Sequence, residues 1–220
     1  MSDQTGVQAN DPYGGRQPTS HERQAGKPWD ASYVGDPAPW DIGRPQPAVL
    51  RLADEGAFAG AVLDAGCGTG ENALHVASLG LRVVGVDVAA TAVSIAREKT
   101  SVRGLDAEFV VGDALHLDRL GEPFDTVLDC GLFHSFDDDD ERQAYAEGLA
   151  SVTRVGGHLY VLCFSDAEPD TGPHPVSEVQ LRAVFTRSGG WSIASITADR
   201  IQARFAAGDA TAWLAKIDRV

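Results

Sequence analysis

The stretch that decides the fold reads Ala61-Val62-Leu63-Asp64-Ala65-Gly66-Cys67-Gly68-Thr69-Gly70. It begins as a short apolar run that ends on a carboxylate, a pattern typical of a buried strand. Its second half is rich in glycine, which lets a backbone turn sharply and approach a ligand closely. A helical pattern over residues 71–79 follows and stops at Gly80. Strand, loop and helix together predict the first unit of an open parallel sheet, in which ligands bind beyond the carboxyl ends of the strands.

The same alternation of strand and helix continues along the chain. Further strands are predicted at 81–86, 107–111, 124–129 and 158–164. Helices are predicted at 47–56, at 89–99, around Tyr145, Leu149 and Val152 up to a break at Gly156-Gly157, and from a capping box of Ser177 and Gln180 to Gly189. Two final strands, 191–197 and 201–205, are joined by a turn too short for a crossover helix and should pair antiparallel. These patterns predict one α/β domain with a mainly parallel sheet and helices on both faces.

The N-terminal residues fall into two parts of different composition. Residues 1–27 are rich in Gly, Pro, Gln and Ser without apolar periodicity, so we expect a disordered tail. Residues 28–43 hold Trp29, Tyr33, Trp40 and Ile42, and aromatic surface of this size is costly to leave in water. We expect residues 28–220 to form the domain and residues 28–43 to cover its active site. Trp40 is interpreted as stacking on a flat ligand, and Trp29 as fixing the segment to the domain.

Charge and composition limit the class of substrate. The formal net charge of −14 repels a phosphate backbone and argues against a nucleic acid partner. No apolar run approaches the roughly 20 residues of a membrane span, and the polar N-terminus lacks the apolar core of a signal peptide. The three cysteines have no metal-ligand spacing, and residues 137–140 are interpreted as a helix N-terminus rather than a metal site. We therefore expect a cytoplasmic protein without a metal that acts on a small molecule; composition leaves its oligomeric state open.

Two further carboxylates follow the next predicted strands. Asp87 ends the second strand, where a carboxylate can accept hydrogen bonds from both hydroxyls of a nucleoside ribose. Asp113 follows the third strand, in a position to hold an adenine amino group. Each feature alone is weak, because a single glycine-rich loop is more often an ordinary tight turn. Three such strand ends in consecutive units predict a bound nucleoside cofactor.

Several of these segments resemble the motifs of class I S-adenosylmethionine-dependent methyltransferases, in order and with the spacing of that family. Residues 62–70 are similar to the first motif, and the later ones are matched at 84–87, 112–114, 124–129 and 154–157. The resemblance runs from about Ala61 to Phe205. It implies a Rossmann-like seven-stranded sheet with an antiparallel last strand, and S-adenosylmethionine as the cofactor.

The resemblance also implies which residues bind the cofactor. Asp64 acts through water on its amino group, Asp87 on the ribose and Asp113 on the adenine. The glycine-rich loop flanks the methionine part, to which Cys130 lends its backbone. The full implied set is Asp64, Gly66, Cys67, Gly68, Gly70, Asp87, Val88, Asp113, Ala114 and Cys130.

A narrower resemblance concerns the substrate. Residues 39–47, together with Leu132-Phe133-His134-Ser135, are similar to bacterial enzymes that methylate heterocyclic toxins such as hydroxyquinolones, which are relatives of the thiopurine S-methyltransferase group. This implies methyl transfer to an O, S or N atom of a small aromatic or heterocyclic molecule. We expect the substrate pocket to be lined by Trp40, Phe133, His134 and parts of 166–175.

His134 is the candidate catalytic residue, because it lies on the loop after the fourth strand, where this class places its substrate. It is interpreted as a general base or as a hydrogen-bond donor to the substrate. The structural alternative is a loop histidine that bonds only to the backbone. A thiolate or phenolate acceptor needs little proton removal, so a base is not obligatory.

Two other classes of protein share parts of this pattern. A dehydrogenase that uses NAD(P) also has a glycine-rich loop and an acidic residue at the second strand end. Its loop is spaced Gly-x-Gly-x-x-Gly, whereas this chain has Gly66-x-Gly68-x-Gly70. A non-catalytic protein that keeps the cofactor site of the methyltransferase fold is the second alternative.

Overall fold

A seven-stranded sheet forms the centre of the computed structural model, which describes residues 11–168, 174–205 and 209–220. The strands are β1 Ala61–Ala65, β2 Arg82–Asp87, β3 Ala107–Val111, β4 Phe124–Cys130, β5 Thr153–Phe164, β6 Trp191–Ile201 and β7 Ala210–Arg219. Their order across the sheet is β3-β2-β1-β4-β5-β7-β6.

The first five strands run parallel, and β7 runs against its neighbours. β1 lies between β2 and β4, with Leu63 opposite both Val84 and Val127. β7 is inserted between β5 and β6 and pairs antiparallel with both. The predicted Rossmann-like, mainly parallel sheet with an antiparallel last strand is therefore confirmed.

Helices cover both faces of this sheet. In chain order they are α1 Ser20–Ala25, α2 Pro47–Asp54, α3 Glu71–Ser78, α4 Ala90–Arg103, α5 Asp139–Val152 and α6 Glu178–Val184. Because strand side chains alternate, Val62 packs with the face that carries α2, α3 and α4, whereas Leu63 packs with α5 and α6 on the other. No helix among the described residues is long and apolar enough to cross a membrane.

The last two strands differ from the sequence prediction. β6 extends to Ile201, and β7 lies at Ala210–Arg219 rather than at 201–205. The pairing of β6 with β7 shifts register between Ile193 and Ser195. Such a bulge interrupts the two-residue alternation of a strand. β6 is also an edge strand, and most of its side chains are exposed or part-exposed. For both reasons, its sequence shows little of the hydrophobic pattern that would reveal its full length.

Two helix ends also differ from the prediction. α5 ends at Val152, before the glycines, and Gly156-Gly157 lie within β5. A Cβ on Gly157 would lie 2.7 Å from the carbonyl oxygen of Asp125, so this glycine permits a close strand approach rather than a helix stop. α6 ends at Val184 and is followed by a separate 3-10 turn, Arg187–Gly189. The Ser177–Gln180 capping box is present as predicted.

The N-terminal segment differs from the expected disordered tail of 1–27. Residues 1–10 lie outside the described residues, but α1 is a capped helix whose Glu22 is completely buried. Glu22 accepts hydrogen bonds from Arg16 and from the backbone N–H of Trp29. The backbone N–H and hydroxyl of Ser20 donate to Glu141 of α5, at 2.8 and 2.6 Å. The segment is therefore fixed to the domain by polar contacts with a distant part of the chain. Because these contacts are polar, the local sequence shows no apolar periodicity.

Candidate active site

One pocket opens at the carboxyl ends of β1, β2, β3 and β4. It lies where the chain connections diverge, because α3 follows β1 on one face of the sheet and α5 follows β4 on the other. Of the residues implied to bind a cofactor, the pocket is lined by Gly66, Cys67, Gly68, Gly70, Asp87, Val88, Asp113, Ala114 and Cys130. The strand topology thus brings together positions from the ends of four different strands.

The glycine-rich loop owes its shape to left-handed backbone at three positions. Gly66, Gly68 and Gly70 have φ angles of 73°, 52° and 85°, a region that favours glycine. A Cβ on Gly66 would lie 2.9 Å from Leu132, and one on Gly70 would lie 2.8 Å from Phe109, so these two glycines are also required for packing. A Cβ on Gly68 would approach the hydroxyl of Tyr33 to 3.2 Å.

Asp87 and Asp113 are held in place by backbone N–H groups. Gly68 and Ala89 each donate one hydrogen bond to the Asp87 carboxylate, both at 2.8 Å. Burial raises the pKa of Asp87. Leu115 donates to the Oδ1 atom of Asp113 at 2.9 Å, which begins the 3-10 helix Ala114–Leu120. Because each carboxylate has several lone pairs, both keep acceptor capacity toward the pocket.

Asp64 lies near the end of β1, just before the glycine-rich loop, and has a buried carboxyl group. Its side chain is 1 % exposed, and its Oδ2 atom has no hydrogen-bond partner among the described residues. Burial, together with the charge of Asp129, raises the pKa of Asp64 to about 7. A cationic group of a ligand at this position would favour the ionised form and complete its hydrogen bonding.

Aromatic rings and histidines also line the pocket. They are His21, Trp29, Trp40, His134, Phe164, His174 and Phe205. The Trp40 indole donates a hydrogen bond to the Tyr33 hydroxyl at 3.0 Å and meets the Trp29 ring edge-on. Of the predicted range 166–175, His174 lines the pocket, while 169–173 lie outside the described residues.

Phe133 does not line the pocket, which corrects the sequence prediction. It is fully buried in the core and contacts Phe185. The reason is the 3-10 turn Phe133–Ser135: the backbone N–H groups of Leu132 and Phe133 both donate to Asp129. This turn directs Phe133 into the core, and it leaves Leu132 and His134 on the pocket wall.

The sequence analysis also missed several of the residues that line the pocket. Arg16, Thr19 and His21 come from the segment expected to be disordered, and Gln202 follows β6. The spacing Thr19-Ser20-His21-Glu22 is that of a capping box, which the structure contains. This signal could have indicated an ordered helix before Trp29.

The fold and the site agree with comparisons to known proteins. Residues 62–157 match the methyltransferase domain family. This chain belongs to the S-adenosylmethionine-dependent methyltransferases. It is 38% identical over 169 residues to the 2-heptyl-1-hydroxyquinolin-4(1H)-one methyltransferase of Mycobacteroides abscessus. The aligned region covers 75% of this chain and 73% of that protein.

Other relatives extend this range of similarity. Thiocyanate methyltransferase 1 of Brassica oleracea is 30% identical over 148 residues, 66% of this chain and 65% of that protein. A solved structure described as "Conversion of a Disulfide Bond into a Thioacetal Group during Echinomycin Biosynthesis" is 40% identical, covers 86% of both chains and has a TM-score of 0.76. Magnesium protoporphyrin IX methyltransferase from Synechocystis with bound S-adenosylmethionine is 25% identical, with a TM-score of 0.61 over 79% of this chain and 76% of that one.

Proposed function

We propose that this enzyme transfers the methyl group of S-adenosylmethionine to an O, S or N atom of a small aromatic or heterocyclic molecule. The observation that carries the proposal is a single pocket with two kinds of lining. The glycine-rich loop, Asp87 and Asp113 line it together with the aromatic rings of Trp29, Trp40 and Phe164. Flat apolar molecules bind favourably between such rings.

The cofactor fits the glycine-rich loop and the carboxylates beside it. Gly66, Cys67, Gly68, Gly70 and Cys130 would lie along its methionine part. Asp64, which does not itself line the pocket, would act on its amino group through water. Asp87 and Val88 would contact the ribose, and Asp113 and Ala114 the adenine. When bound, the cofactor supplies a methyl group that its sulfonium already activates. The remaining task of the protein is to hold an acceptor in line with that group and to exclude water.

The relatives support acceptors of more than one element. One is named for a hydroxyquinolinone and another for thiocyanate. An aromatic acceptor is favoured for this chain because Trp29 and Trp40 meet edge-on and are held in place, Trp29 by a 4.3 Å stack on His21 and Trp40 by Tyr33.

Residues 28–43 are proposed to cover the active site. Asp30 accepts hydrogen bonds from the backbone and hydroxyl of Thr91 at the start of α4, at 2.7 and 2.9 Å. Asp41 accepts one from Thr69 of the glycine-rich loop at 2.6 Å. The segment is therefore bonded both to the glycine-rich loop and to α4, and Tyr33 packs beside Ala89 and Ala92.

Binding and product formation test this function directly. S-adenosylhomocysteine should raise the melting temperature, whereas NAD should not. Incubation with S-adenosylmethionine and a panel of hydroxyquinolines, phenols, thiols and N-heterocycles should give a product heavier by one methylene in mass spectrometry. Stabilisation by NAD alone would favour a dehydrogenase. Cofactor binding without product from any acceptor class would favour a non-catalytic protein.

Replacing Asp87 by Ala should weaken S-adenosylhomocysteine binding by about 1.5–3 kcal/mol, the scale of hydrogen bonds to a charged group. Asp118→Ala is the matched control, because Asp118 is exposed and outside the pocket lining. Calorimetry on both variants, with circular dichroism to verify folding, gives the comparison. Equal affinities would remove Asp87 from the proposed ribose site.

Gly68→Ala and Gly80→Ala separate backbone strain from cofactor binding. Both glycines have positive φ, so each alanine should cost about 1–2 kcal/mol of stability. Only Gly68 faces the pocket, while a Cβ on Gly80 meets nothing within 4 Å. We expect Gly68→Ala alone to weaken S-adenosylhomocysteine binding, by about tenfold or more. A similar affinity loss in both variants would show that Gly68 is only a turn residue.

A further inference from the structure

One face of α4 packs against the glycine-rich loop. Ala96 and Lys99 both lie on this face, because residues three apart are neighbours on the surface of a helix. Ala96 is fully buried, and a Cβ on Gly70 would lie only 2.9 Å from its Cβ atom. The Lys99 side chain reaches Thr69, the residue before Gly70. α4 therefore contacts the loop at two consecutive residues, at one by close packing and at the other by hydrogen bonding.

The ammonium group of Lys99 has three acceptors at this point of contact. Its Nζ atom donates to the hydroxyl of Thr69 at 2.8 Å and to the carbonyl oxygen of Thr69 at 3.1 Å. It also pairs with the carboxylate of Glu71, the first residue of α3, at 2.9 Å. An ammonium has three donors and no acceptor, so these groups satisfy it fully. The side chains of Lys99 and Glu71 are only 23% and 10% exposed, so salt screens their interaction less than it would on an open surface.

Lys99 determines the direction in which the Thr69 hydroxyl donates its proton. Because an ammonium cannot accept a hydrogen bond, the hydroxyl must be the acceptor toward Lys99. The single proton of the hydroxyl is then available for the carboxylate of Asp41, whose Oδ2 atom lies 2.6 Å away. Thr69 itself is buried, which leaves little water to compete for either bond. The result is a directed chain of hydrogen bonds from Lys99 through Thr69 to Asp41.

Asp41 is a point at which the segment 28–43 is bonded to two other parts of the molecule. Besides the bond from Thr69, its backbone carbonyl accepts a hydrogen bond from the Arg204 side chain at 2.5 Å. The backbone N–H of Arg204 donates to the carbonyl of Pro39 at 2.7 Å. Trp40 lies between these two anchored residues and lines the pocket. The position of Trp40 therefore depends on the same bonds that connect Asp41 to the glycine-rich loop.

A simple ion pair does not account for the contacts of Lys99. Arg103, one turn further along α4, also pairs with Glu71, through two hydrogen bonds of 2.9 and 2.8 Å. Glu71 would therefore keep a cationic partner without Lys99. Neither Lys99 nor Arg103 lines the pocket, so any effect of Lys99 on a bound molecule must pass through its neighbours. What distinguishes Lys99 from Arg103 is its pair of bonds to Thr69.

We propose that Lys99 is a positioning residue for the cofactor, which couples the glycine-rich loop to the segment 28–43 through Thr69. The inference rests on the proposed function, which places the cofactor along this loop and the segment over the active site. Lys99 does not contact the cofactor. It holds the Thr69 backbone in the conformation that the loop needs, and it directs the Thr69 hydroxyl to Asp41. Cofactor affinity and the protection of residues 38–43 from hydrogen exchange therefore depend on the same side chain.

Lys99→Met and Arg103→Met form a matched pair that tests the inference. Each keeps an unbranched side chain and removes one cation from Glu71, but only Lys99→Met removes the bonds to Thr69. We expect Lys99→Met to weaken S-adenosylhomocysteine binding by about tenfold or more in calorimetry. Hydrogen exchange over residues 38–43 of the ligand-free protein should become faster by about the same factor. Arg103→Met should change both by no more than about threefold, because a partly exposed ion pair contributes little.

Circular dichroism verifies that both variants fold. Equal affinities and equal exchange rates in the two variants would overturn the inference. A loss of affinity in Lys99→Met without faster exchange over residues 38–43 would contradict the coupling to Asp41.

Variants of Thr69 test whether Lys99 acts through the hydroxyl. Thr69→Val keeps the branched shape without a hydroxyl, and Thr69→Ser keeps the hydroxyl. We expect exchange over residues 38–43 to be fast in Thr69→Val and slow in Thr69→Ser, as in the wild type. The double variant Lys99→Met/Thr69→Val should exchange no faster than Thr69→Val alone, since residues that act in one chain of bonds are not additive. Additive effects would show that Lys99 acts independently of Thr69 and would overturn the inference.

The two kinds of measurement separate this inference from the proposed function. A wild-type protein that does not bind S-adenosylhomocysteine would contradict the proposed function itself. Exchange in the ligand-free variants would still decide whether Lys99 holds residues 38–43 through Thr69.

Discussion

Asp64→Asn should stabilise the ligand-free protein increasingly as the pH rises from 4 to 8, and it should also impair cofactor binding. The pKa of Asp64 is about 7 in the folded protein, whereas the ordinary pKa of an aspartate is about 3.8. With a raised folded pKa, the stability due to the protonated form is fully present below 3.8 and is lost as the pH rises through 7. The difference of about three pKa units sets an upper limit of about 4 kcal/mol.

The pH dependence of the two proteins is the measurement. Urea unfolding of the wild type and of Asp64→Asn at pH 4, 6 and 8 gives the free energy of unfolding for each. The amide adds N–H donors, which change the free energy of unfolding of the variant at every pH. The readout is therefore how the difference in free energy of unfolding between variant and wild type changes with pH. A constant difference would show that Asp64 does not titrate in this range.

The same carboxyl should control cofactor affinity. A bound amino group favours ionised Asp64, so the affinity of the wild type for S-adenosylhomocysteine should fall as the pH drops below about 7. Asp64→Asn should bind more weakly by about 1.5–3 kcal/mol and without this pH dependence. Exposed Asp118→Asn should behave as the wild type.

Deletion of residues 1–27 should reduce kcat/KM on the order of a hundredfold, equivalent to about 2.7 kcal/mol of transition-state stabilisation. The deletion removes Arg16, Thr19 and His21 from the pocket wall and the Glu22 carboxylate from the backbone of Trp29. A deletion of residues 1–10 is the matched control, because it spares all of these contacts.

Two measurements separate a lost site from a lost fold in this experiment. Far-UV circular dichroism should remain close to that of the control, because the sheet and the helices α2 to α6 are retained. Hydrogen exchange should be faster over residues 28–43 in the longer deletion, since Glu22 no longer binds the Trp29 backbone. Full activity after removal of residues 1–27 would show that α1 merely packs on the outside of the domain.

The sequence predicted those parts of the molecule that local patterns determine. Apolar runs followed by carboxylates located the first four strands, and the glycine spacing located the loop between β1 and α3. The capping box of Ser177 and Gln180 placed the start of α6. In each case the physical cause lies within a few residues of the element itself.

The differences arise where distant contacts decide the conformation. α1 is held by Glu141, 121 residues from Ser20, and a window over the N-terminus contains no trace of that partner. Phe133 and His134 are adjacent in sequence, but Phe133 lies in the core and His134 on the pocket wall. The cause is the turn after β4, which Asp129 holds by accepting two backbone hydrogen bonds. β7 alternates in burial, but three of its four buried positions are alanine, and the larger Trp213 and Leu214 are only part-buried, so its sequence shows little hydrophobic pattern.

The direction of β7 has a practical consequence for attaching the enzyme to a surface or to another protein. Ala212 pairs with Phe164 at the carboxyl end of β5, beside the pocket. Arg219 pairs with Trp191 at the start of β6, which lies at the other end of the strands. A tether joined at Val220 therefore leaves the molecule on the side away from the pocket mouth. A tether that replaces residues 1–10 joins the described chain at Asp11, a few residues before Arg16 and Thr19, which line the pocket. Immobilisation through the carboxyl end should preserve access for acceptors that immobilisation through the amino end obstructs.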